Sequence, residues 1–244
     1  MYIMFLTLIL VITAAMAAIG AQRVLKLSRI PVAERFAEKL KCGTYYQILG
    51  GLWGAVIVVL TVCFVVGASP EDIGFRPISF NYGFWFTAIT LVLSGLFFAY
   101  GLRQIISSLM SAKFREAAEK QMEDSVLNAI LPRSKKEKRV FVFLSFSAGV
   151  CEEIIYRGLM LFVLYAMFPD IPIFLVVLIS GLLFGISHIY QGVQGVIMTA
   201  IIGALLMCLF LVTNSLILVM MLHFFHDFSA TFLLSEKKEA AREA

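Results

Sequence analysis

Charged residues are scarce in this chain of 244 residues, where they make up 15% of the sequence while hydrophobic residues make up 61%. Soluble domains average about 25% charged and about 45–50% apolar residues. A single globular core could not bury so many apolar side chains, so the composition excludes an ordinary soluble domain and predicts that a bilayer surrounds much of the chain. We expect an all-α protein, a polytopic bundle of transmembrane helices joined by short loops.

Paired cysteine motifs are absent as well. The four cysteines, Cys42, Cys63, Cys151 and Cys208, have no CxxC spacing, and three of them lie in apolar stretches, where a lone cysteine usually serves packing. The sequence therefore predicts neither a disulfide framework nor a cysteine-based zinc site. The net charge of +4 is small, and we interpret it as an unequal distribution of charge between loops and not as nucleic-acid binding.

Seven apolar runs approach the length of about 20 residues that a helix needs to cross the hydrocarbon core. The first could instead be a signal peptide, but it is long and no basic segment precedes it, so we interpret it as a span. The predicted spans run approximately from Tyr2 to Gln22, Tyr45 to Ala68, Tyr82 to Leu102, Val140 to Met167, Ile171 to Tyr190, Val193 to Val212 and Ser215 to Leu234.

Basic residues concentrate in two of the predicted loops. Six Lys or Arg follow the first span and nine follow the third, whereas the loop after the second span has Arg76 together with Glu71 and Asp72. The positive-inside rule places the two basic loops in the cytoplasm, with the N-terminus outside and the C-terminus cytoplasmic. Amphipathic stretches in these loops, residues 32–40 and 105–131, predict cytoplasmic helices that lie on the lipid headgroups.

Ionisable side chains within the apolar runs are few, and they fall in three of the last four spans. All three histidines of the chain are among them. Ionisable groups inside a membrane are costly, and their presence there indicates a functional site. The set comprises Glu152, Glu153, Arg157, His188, His223, His226 and Asp227.

Helical spacing separates the two adjacent glutamates. Glu153 and Arg157 are four residues apart and share a helix face, so we predict a buried ion pair between them. Glu152 points about 100° away and has no local partner. It is therefore the better candidate for a general base.

The histidines have neighbours at the same spacing. His223 and Asp227 are four residues apart, so the carboxylate is expected to orient the imidazole. His226 either joins the face of His223, as an accessory residue of the site, or turns toward another helix. Phe184 lies one turn before His188 and predicts an aromatic shelf beside that ring. Any one of these histidines alone could equally make a hydrogen bond between helices, but the group together favours a site.

Small residues predict close packing between the fifth and sixth spans. Gly181 and Gly185 form a small-xxx-small pair, the pattern that lets membrane helices approach closely. The sixth span has a side of small residues formed by Gly192, Gly195 and Gly203. This pattern concerns packing and does not bear on catalysis.

Three motifs occur in a fixed order on the predicted core helices. They resemble the motifs of the CPBP family, also called the Abi family, which includes CAAX prenyl endopeptidases and bacteriocin-processing enzymes. The resemblance implies a catalytic core at residues 139–234, preceded by N-terminal transmembrane helices with basic cytoplasmic loops (1–138) and followed by a charged cytoplasmic tail (235–244). The motifs are Glu152-Glu153 with Arg157, Phe184 with His188, and His223 with Asp227.

The resemblance implies an intramembrane glutamic endopeptidase that hydrolyses a peptide bond near the cytoplasmic side of the membrane. Carried over to this chain, Glu152 is the general base and His188 is its partner in activating a water molecule. His223 would face the developing oxyanion. Glu153 and Arg157 would hold the site in place.

Asp227 departs from the CAAX enzymes, which have Asn at the matching position. An Asn side chain can donate a hydrogen bond to an oxyanion, whereas an ionised Asp can only accept one. Asp227 is therefore protonated, or orients His223, or binds a positive group. The departure points away from a strict prenyl-CAAX role and toward a member in a bacterial cytoplasmic membrane.

A metal mechanism is the alternative for the same residues. Glu152, His188, His223 and Asp227 are chemically suitable zinc ligands, and the family has been described both as metal-dependent and as a glutamate protease. Since no HExxH motif is present, we favour a mechanism without zinc or another cofactor. The expected partners are the bilayer and a peptide or membrane-protein substrate, lipidated or not, and we expect no nucleic acid.

Two other functions fit intramembrane Glu, His and Asp residues. One is a non-catalytic immunity or regulatory protein of the cell envelope with the same fold, but a binding role would not require the whole motif set. The other is a small transporter or proton relay. Helices broken by Gly or Pro in two matching halves would favour a transporter, and the sequence has none.

Overall fold

The computed structural model describes residues 3, 7, 8, 10–15, 18, 19, 22, 38–122, 128 and 130–234. This part of the chain is helical and contains no strand, which confirms the all-α prediction for it. Its elements are α1 Glu38–Val65, α2 Phe84–Met110, α3 Ala112–Gln121, α4 Lys135–Glu153, a π-helical turn Ile154–Leu159, α5 Met160–Met167, α6 Ile173–Ser187, a 3₁₀ turn Ile189–Gln191, α7 Gly192–Thr213, α8 Leu216–Ser229 and a 3₁₀ turn Ala230–Phe232.

Three helical segments of the described part are long and apolar enough to cross a membrane. They are Cys42–Val65, Phe84–Met110 and Ile189–Thr213, and they correspond to the second, third and sixth predicted spans. The fifth and seventh correspond to shorter apolar helices, Ile173–Ser187 and Leu216–Phe232. Nine of the 21 residues of the first predicted span, and six of the nine residues 32–40, lie outside the described residues. The count of seven spans and the orientation of the termini therefore stay predictions.

The predicted fourth span corresponds to a helical run from α4 through the π-helical turn into α5. A capping box starts it: the Ser134 hydroxyl accepts from the backbone N–H of Glu137 at 3.1 Å, and the Glu137 carboxylate accepts in return from the backbone of Ser134. Such a box satisfies two N–H groups that the helix itself leaves free. The π-helical turn follows Glu153 directly, and insertions of this kind often occur at functional sites.

Glycine residues on the side of α6 that faces α7 let the two helices pack closely, as the small-residue pattern predicted. A Cβ atom added to Gly185 would lie 2.7 Å from the carbonyl oxygen of Val196 and 2.8 Å from the Cβ of Ala200. One added to Gly181 would lie 2.8 Å from the carbonyl oxygen of Ala200. The two backbones are too close for a larger residue, and this contact fixes the end of α6 on which His188 lies.

A second close approach joins α4 and α8, and we did not predict it. A Cβ atom added to Gly149 would lie 2.9 Å from the backbone nitrogen of Phe224. Gly149 precedes the two glutamates by one turn, and Phe224 follows His223. The missing side chain therefore lets the helix with the glutamates and the helix with His223 meet where their polar residues lie.

Candidate active site

Glu153 links three elements of the bundle through one buried oxygen. Its Oε1 atom accepts from Nη1 of Arg157 at 2.9 Å and lies 2.6 Å from Nδ1 of His223 on α8. Arg157 also donates from Nη2 to the carbonyl oxygen of Gly203 on α7 at 3.1 Å. Glu153 and Arg157 are fully buried. The predicted ion pair is confirmed, and it also positions His223.

Phe184 lies at the centre of the aromatic and cationic groups. The guanidinium carbon of Arg157 lies 4.5 Å from its ring centroid, a distance at which a cation is attracted to the face of a ring. The ring of His188 lies 4.8 Å away and that of His223 lies 5.8 Å away, centroid to centroid. The ring of Phe184 thus contacts both imidazoles, and its contact with His188 agrees with the predicted aromatic shelf.

Glu152 and His188 face each other next to this cluster. Their Oε2 and Nε2 atoms are 4.0 Å apart, and the Glu152 Oε2 atom is buried without a hydrogen bond to the described residues. Nδ1 of His188 lies 2.8 Å from the carbonyl oxygen of Phe184. Since a carbonyl only accepts, Nδ1 carries a proton, and in the neutral ring Nε2 then presents a lone pair toward Glu152.

His223 lies between two carboxylates. Its Nδ1 atom bonds to Glu153, and its Nε2 atom is 3.6 Å from Oδ2 of Asp227. The second distance is too long for a hydrogen bond but short enough for an electrostatic contact. The Asp227 side chain is 34% exposed and that of Glu152 is 8% exposed, so the site is most open beside Asp227.

His226 does not join the other polar residues. Its ring stacks on Phe97 of α2, with the centroids 4.4 Å apart and the planes 27° from parallel. Its Nδ1 atom is buried and has no hydrogen-bond partner in the described part of the chain. Of the two predicted placements, the turn toward another helix is confirmed.

Three contributors to the cluster were not identified from the sequence. Gly203 acts through its carbonyl oxygen, which any residue would possess, so no side-chain pattern could identify it. Ser187 lies 3.0 Å from Nδ1 of His188, and its position next to a histidine was the available signal. Tyr156 packs edge-on against Phe184 at 5.4 Å, and an aromatic residue in an apolar helix carries no signal of its own.

The residues that the alternative metal mechanism would use as zinc ligands lack the grouping that a metal site needs. The described residues contain no group of three or more His, Cys, Asp or Glu side chains that could hold a metal ion. The structure gives a contact of Glu152 with His188 and one of His223 with Asp227, whereas a protein zinc site gathers at least three such ligands around one centre. Because this arrangement does not fit zinc, we derive no step through a metal.

Comparison with known families gives one match. Residues 136–229 match the family model described as type II CAAX prenyl endopeptidase Rce1-like, a segment that begins in α4 and ends with α8. No curated protein and no solved structure matches the chain. The fold and this match define an integral membrane protein with a domain of the protease class. Residues 136–229, less than half of the chain, therefore form a domain that matches the Rce1-like CAAX protease family.

Proposed function

We propose that the chain is an intramembrane endopeptidase in which Glu152 and His188 activate the water that hydrolyses a peptide bond. The observation that carries the proposal is the 4.0 Å separation between Oε2 of Glu152 and Nε2 of His188, two acceptors that face each other. Polar groups at a distance greater than that of a direct hydrogen bond are often bridged by water. A water between these two acceptors would donate both its hydrogens and direct its oxygen at a substrate carbonyl.

In the proposed reaction, the water oxygen attacks the carbonyl carbon while its proton passes to Glu152. The carbonyl π electrons move onto the oxygen, which becomes an oxyanion. When the intermediate collapses, the C–N bond breaks and Glu152 returns the proton to the leaving amine. A carboxylate that acts first as base and then as acid needs no other proton donor.

His223 is the donor that we assign to the oxyanion. Its bond to Glu153 fixes the ring, and a fixed donor near the developing charge stabilises the transition state. Among the alternatives for Asp227, the contact at 3.6 Å with Nε2 of His223 favours orientation of this ring. Asp227 is then a positioning residue.

The proposed substrate is a peptide or membrane protein, lipidated or not, cleaved near the cytoplasmic side of a bacterial cytoplasmic membrane. The basic loops support that orientation, because Lys and Arg concentrate in cytoplasmic loops. That no three metal-binding side chains of the described residues come together supports a mechanism without a metal. We expect cleavage to survive EDTA, and we would abandon this mechanism if the loss of activity in EDTA were reversed by added zinc.

The central test is the substitution Glu152→Gln in protein reconstituted into liposomes with a library of hydrophobic peptides. An amide cannot accept the proton, so cleavage detected by mass spectrometry should fall by at least about 100-fold. Glu116→Gln is the matched control, since Glu116 is exposed on α3 and far from the site in sequence. Cleavage that survives in Glu152→Gln would contradict the proposal. Proton flux across the liposome membrane that depends on Glu152 would favour the alternative function, a small transporter or proton relay.

A further inference from the structure

A cavity lies at the other end of the bundle from His188. It has a volume of about 360 Å³, and its lining includes Arg76, Tyr82, Tyr165 and Asn214. Asn214 ends α7, whereas His188 immediately precedes the turn that leads into α7, and a helix of 22 residues is about 30 Å long. The cavity is therefore separate from the candidate active site.

Arg76 is the cation of this cavity, and no described residue neutralises it by a hydrogen bond or an ion pair. Its Nε atom is buried without a hydrogen-bond partner in the described part of the chain. The neighbouring carboxylate of Asp72 instead accepts from the backbone nitrogen and the hydroxyl of Ser69, at 2.8 and 2.9 Å. These bonds lower the pKa of Asp72, and the charge of Arg76 lowers it less, so the carboxylate attracts Arg76 at a distance while its hydrogen bonds go to Ser69. Buried polar atoms normally have partners, and a guanidinium favours an anion.

The loop that carries Arg76 is held rigidly against the turn between α7 and α8. The backbone nitrogen of Leu216 donates to the carbonyl oxygen of Gly74, and that of Ser79 donates to the carbonyl oxygen of Thr213, both at 2.9 Å. Gly74 has φ +92° and lies tightly beneath the ring of Phe210. A larger residue would not fit there, so this loop is preorganised around Arg76.

Neutral donors and an apolar floor complete the cavity. The Asn214 amide nitrogen gives one hydrogen to the Ser79 hydroxyl at 3.3 Å and keeps the other, and the hydroxyls of Tyr82 and Tyr165 interact with each other. All three groups can donate to anionic oxygens, and Leu161 and Leu211 contribute apolar surface. One cation among neutral donors matches a singly charged phosphodiester, since Arg binds phosphate oxygens with two parallel N–H groups. The apolar floor matches the first carbons of attached acyl chains.

Exposed aromatic residues place this cavity at the level of the lipid headgroups. Phe80, Phe84 and Trp85, on or next to the same loop, are exposed, and so is Phe168 after α5. Aromatic side chains concentrate at the two membrane–water interfaces. A ligand that combines a phosphate with acyl chains would meet Arg76 at this depth.

We propose that the cavity between the 76–82 loop, α5 and the α7–α8 turn binds the phosphodiester headgroup of a phospholipid from the adjacent leaflet. Arg76 holds the phosphate, and the tyrosine and asparagine side chains donate to its remaining oxygens. The bound lipid would join the loop to α5 and α7 and so stabilise the end of the bundle opposite His188. This proposal does not depend on peptidase activity.

The test is a titration of the purified full-length protein with dioleoylphosphatidylglycerol, with the bound lipid counted by native mass spectrometry. Arg76→Gln should weaken the first binding event by roughly tenfold or more, the effect of losing a hydrogen bond to a charged group. Arg103→Gln is the control, since Arg103 is an exposed residue toward the other end of α2. Equal affinities in wild type and Arg76→Gln, with both proteins folded by thermal unfolding, would overturn the proposal.

A second comparison uses the unaltered chain, so it decides the question even if Arg76→Gln does not fold. Dioleoylglycerol has the same acyl chains without the phosphate, and it should bind at least about tenfold more weakly than the phospholipid if the phosphate is recognised. Equal binding of the two lipids would overturn the proposal. Displacement of the phospholipid by an equal concentration of inorganic phosphate would identify a free-anion site and reject the lipid.

Discussion

Two adjacent glutamates have different surroundings because successive residues of a helix point about 100° apart. Glu153 faces inward, where Arg157 and His223 satisfy its Oε1 atom. Glu152 faces His188 across 4.0 Å and keeps a free acceptor. Spacing alone separates the carboxylate that is paired through Oε1 from the one that has no partner on its own helix. The structure adds the partner that spacing could not predict: His223, which lies on a distant part of the chain.

Asp227 offers a test of how the second imidazole is oriented. Asp227→Asn keeps an oxygen near Nε2 of His223, so we expect kcat to stay within about tenfold of wild type, whereas Asp227→Leu removes the oxygen and should lower kcat about 100-fold. KM should change little in both, because the role concerns the transition state. The measurement is steady-state cleavage of one peptide found in the library screen. Equal losses in the two variants would argue against an orienting role.

The sequence was enough to predict which residues belong to the site, but only some of the contacts between them. Residues four apart on one helix have a fixed geometry, which is why the Glu153–Arg157 pair could be predicted. Contacts between helices depend on crossing positions that no spacing defines. The bond from His223 to Glu153 depends on Gly149, and the bond from Arg157 ends on a backbone carbonyl of Gly203.

At the scale of the helix, the close contact of α6 with α7 should be sensitive to one methyl group. Gly185→Ala places a Cβ within 2.8 Å of Val196 and Ala200, and overpacking of this kind costs about 1–3 kcal/mol. We expect a lower melting temperature in detergent. Cleavage should also decrease, since His188 lies at the end of the same helix.

Gly54→Ala on α1 is the control for that experiment. Nothing lies within 4 Å of the added Cβ, and alanine is favoured over glycine within a helix by about 1 kcal/mol. The melting temperature of this variant should be unchanged or higher. If Gly185→Ala is as stable as Gly54→Ala, the two backbones are not in the close contact described.

In the helix that carries the glutamates, the start could be predicted from the sequence, but the π-helical turn could not. Its start follows from local chemistry, since Ser134 and Glu137 have the spacing of a capping box. The π-helical turn at Ile154–Leu159 does not follow from apolar periodicity, because every position in the turn is buried. A segment buried on all sides has no polar face from which a change in helical repeat could be detected.

At the scale of the whole molecule, polar chemistry divides between two ends of one bundle. Asp227 and His188 lie toward one end, where the predicted cytoplasmic loops also lie, and Arg76 lies toward the other. The apolar faces of the helices between them are widely exposed, as at Ile57, Val92 and Ile201, which suits contact with acyl chains. The bilayer surrounds the apolar side chains that a single core could not bury in water.

The predicted orientation can be tested with two single cysteines on either side of α2. In a chain whose four native cysteines are replaced by alanine, Glu71→Cys should react with a membrane-impermeant maleimide in intact cells, and Glu116→Cys only after permeabilisation. Both positions are exposed, and the basic residues near Glu116 favour the cytoplasmic side. The reversed pattern would place the candidate active site at the outer face. Labelling of both from one side would contradict α2 as a span, because a single crossing must separate the two positions.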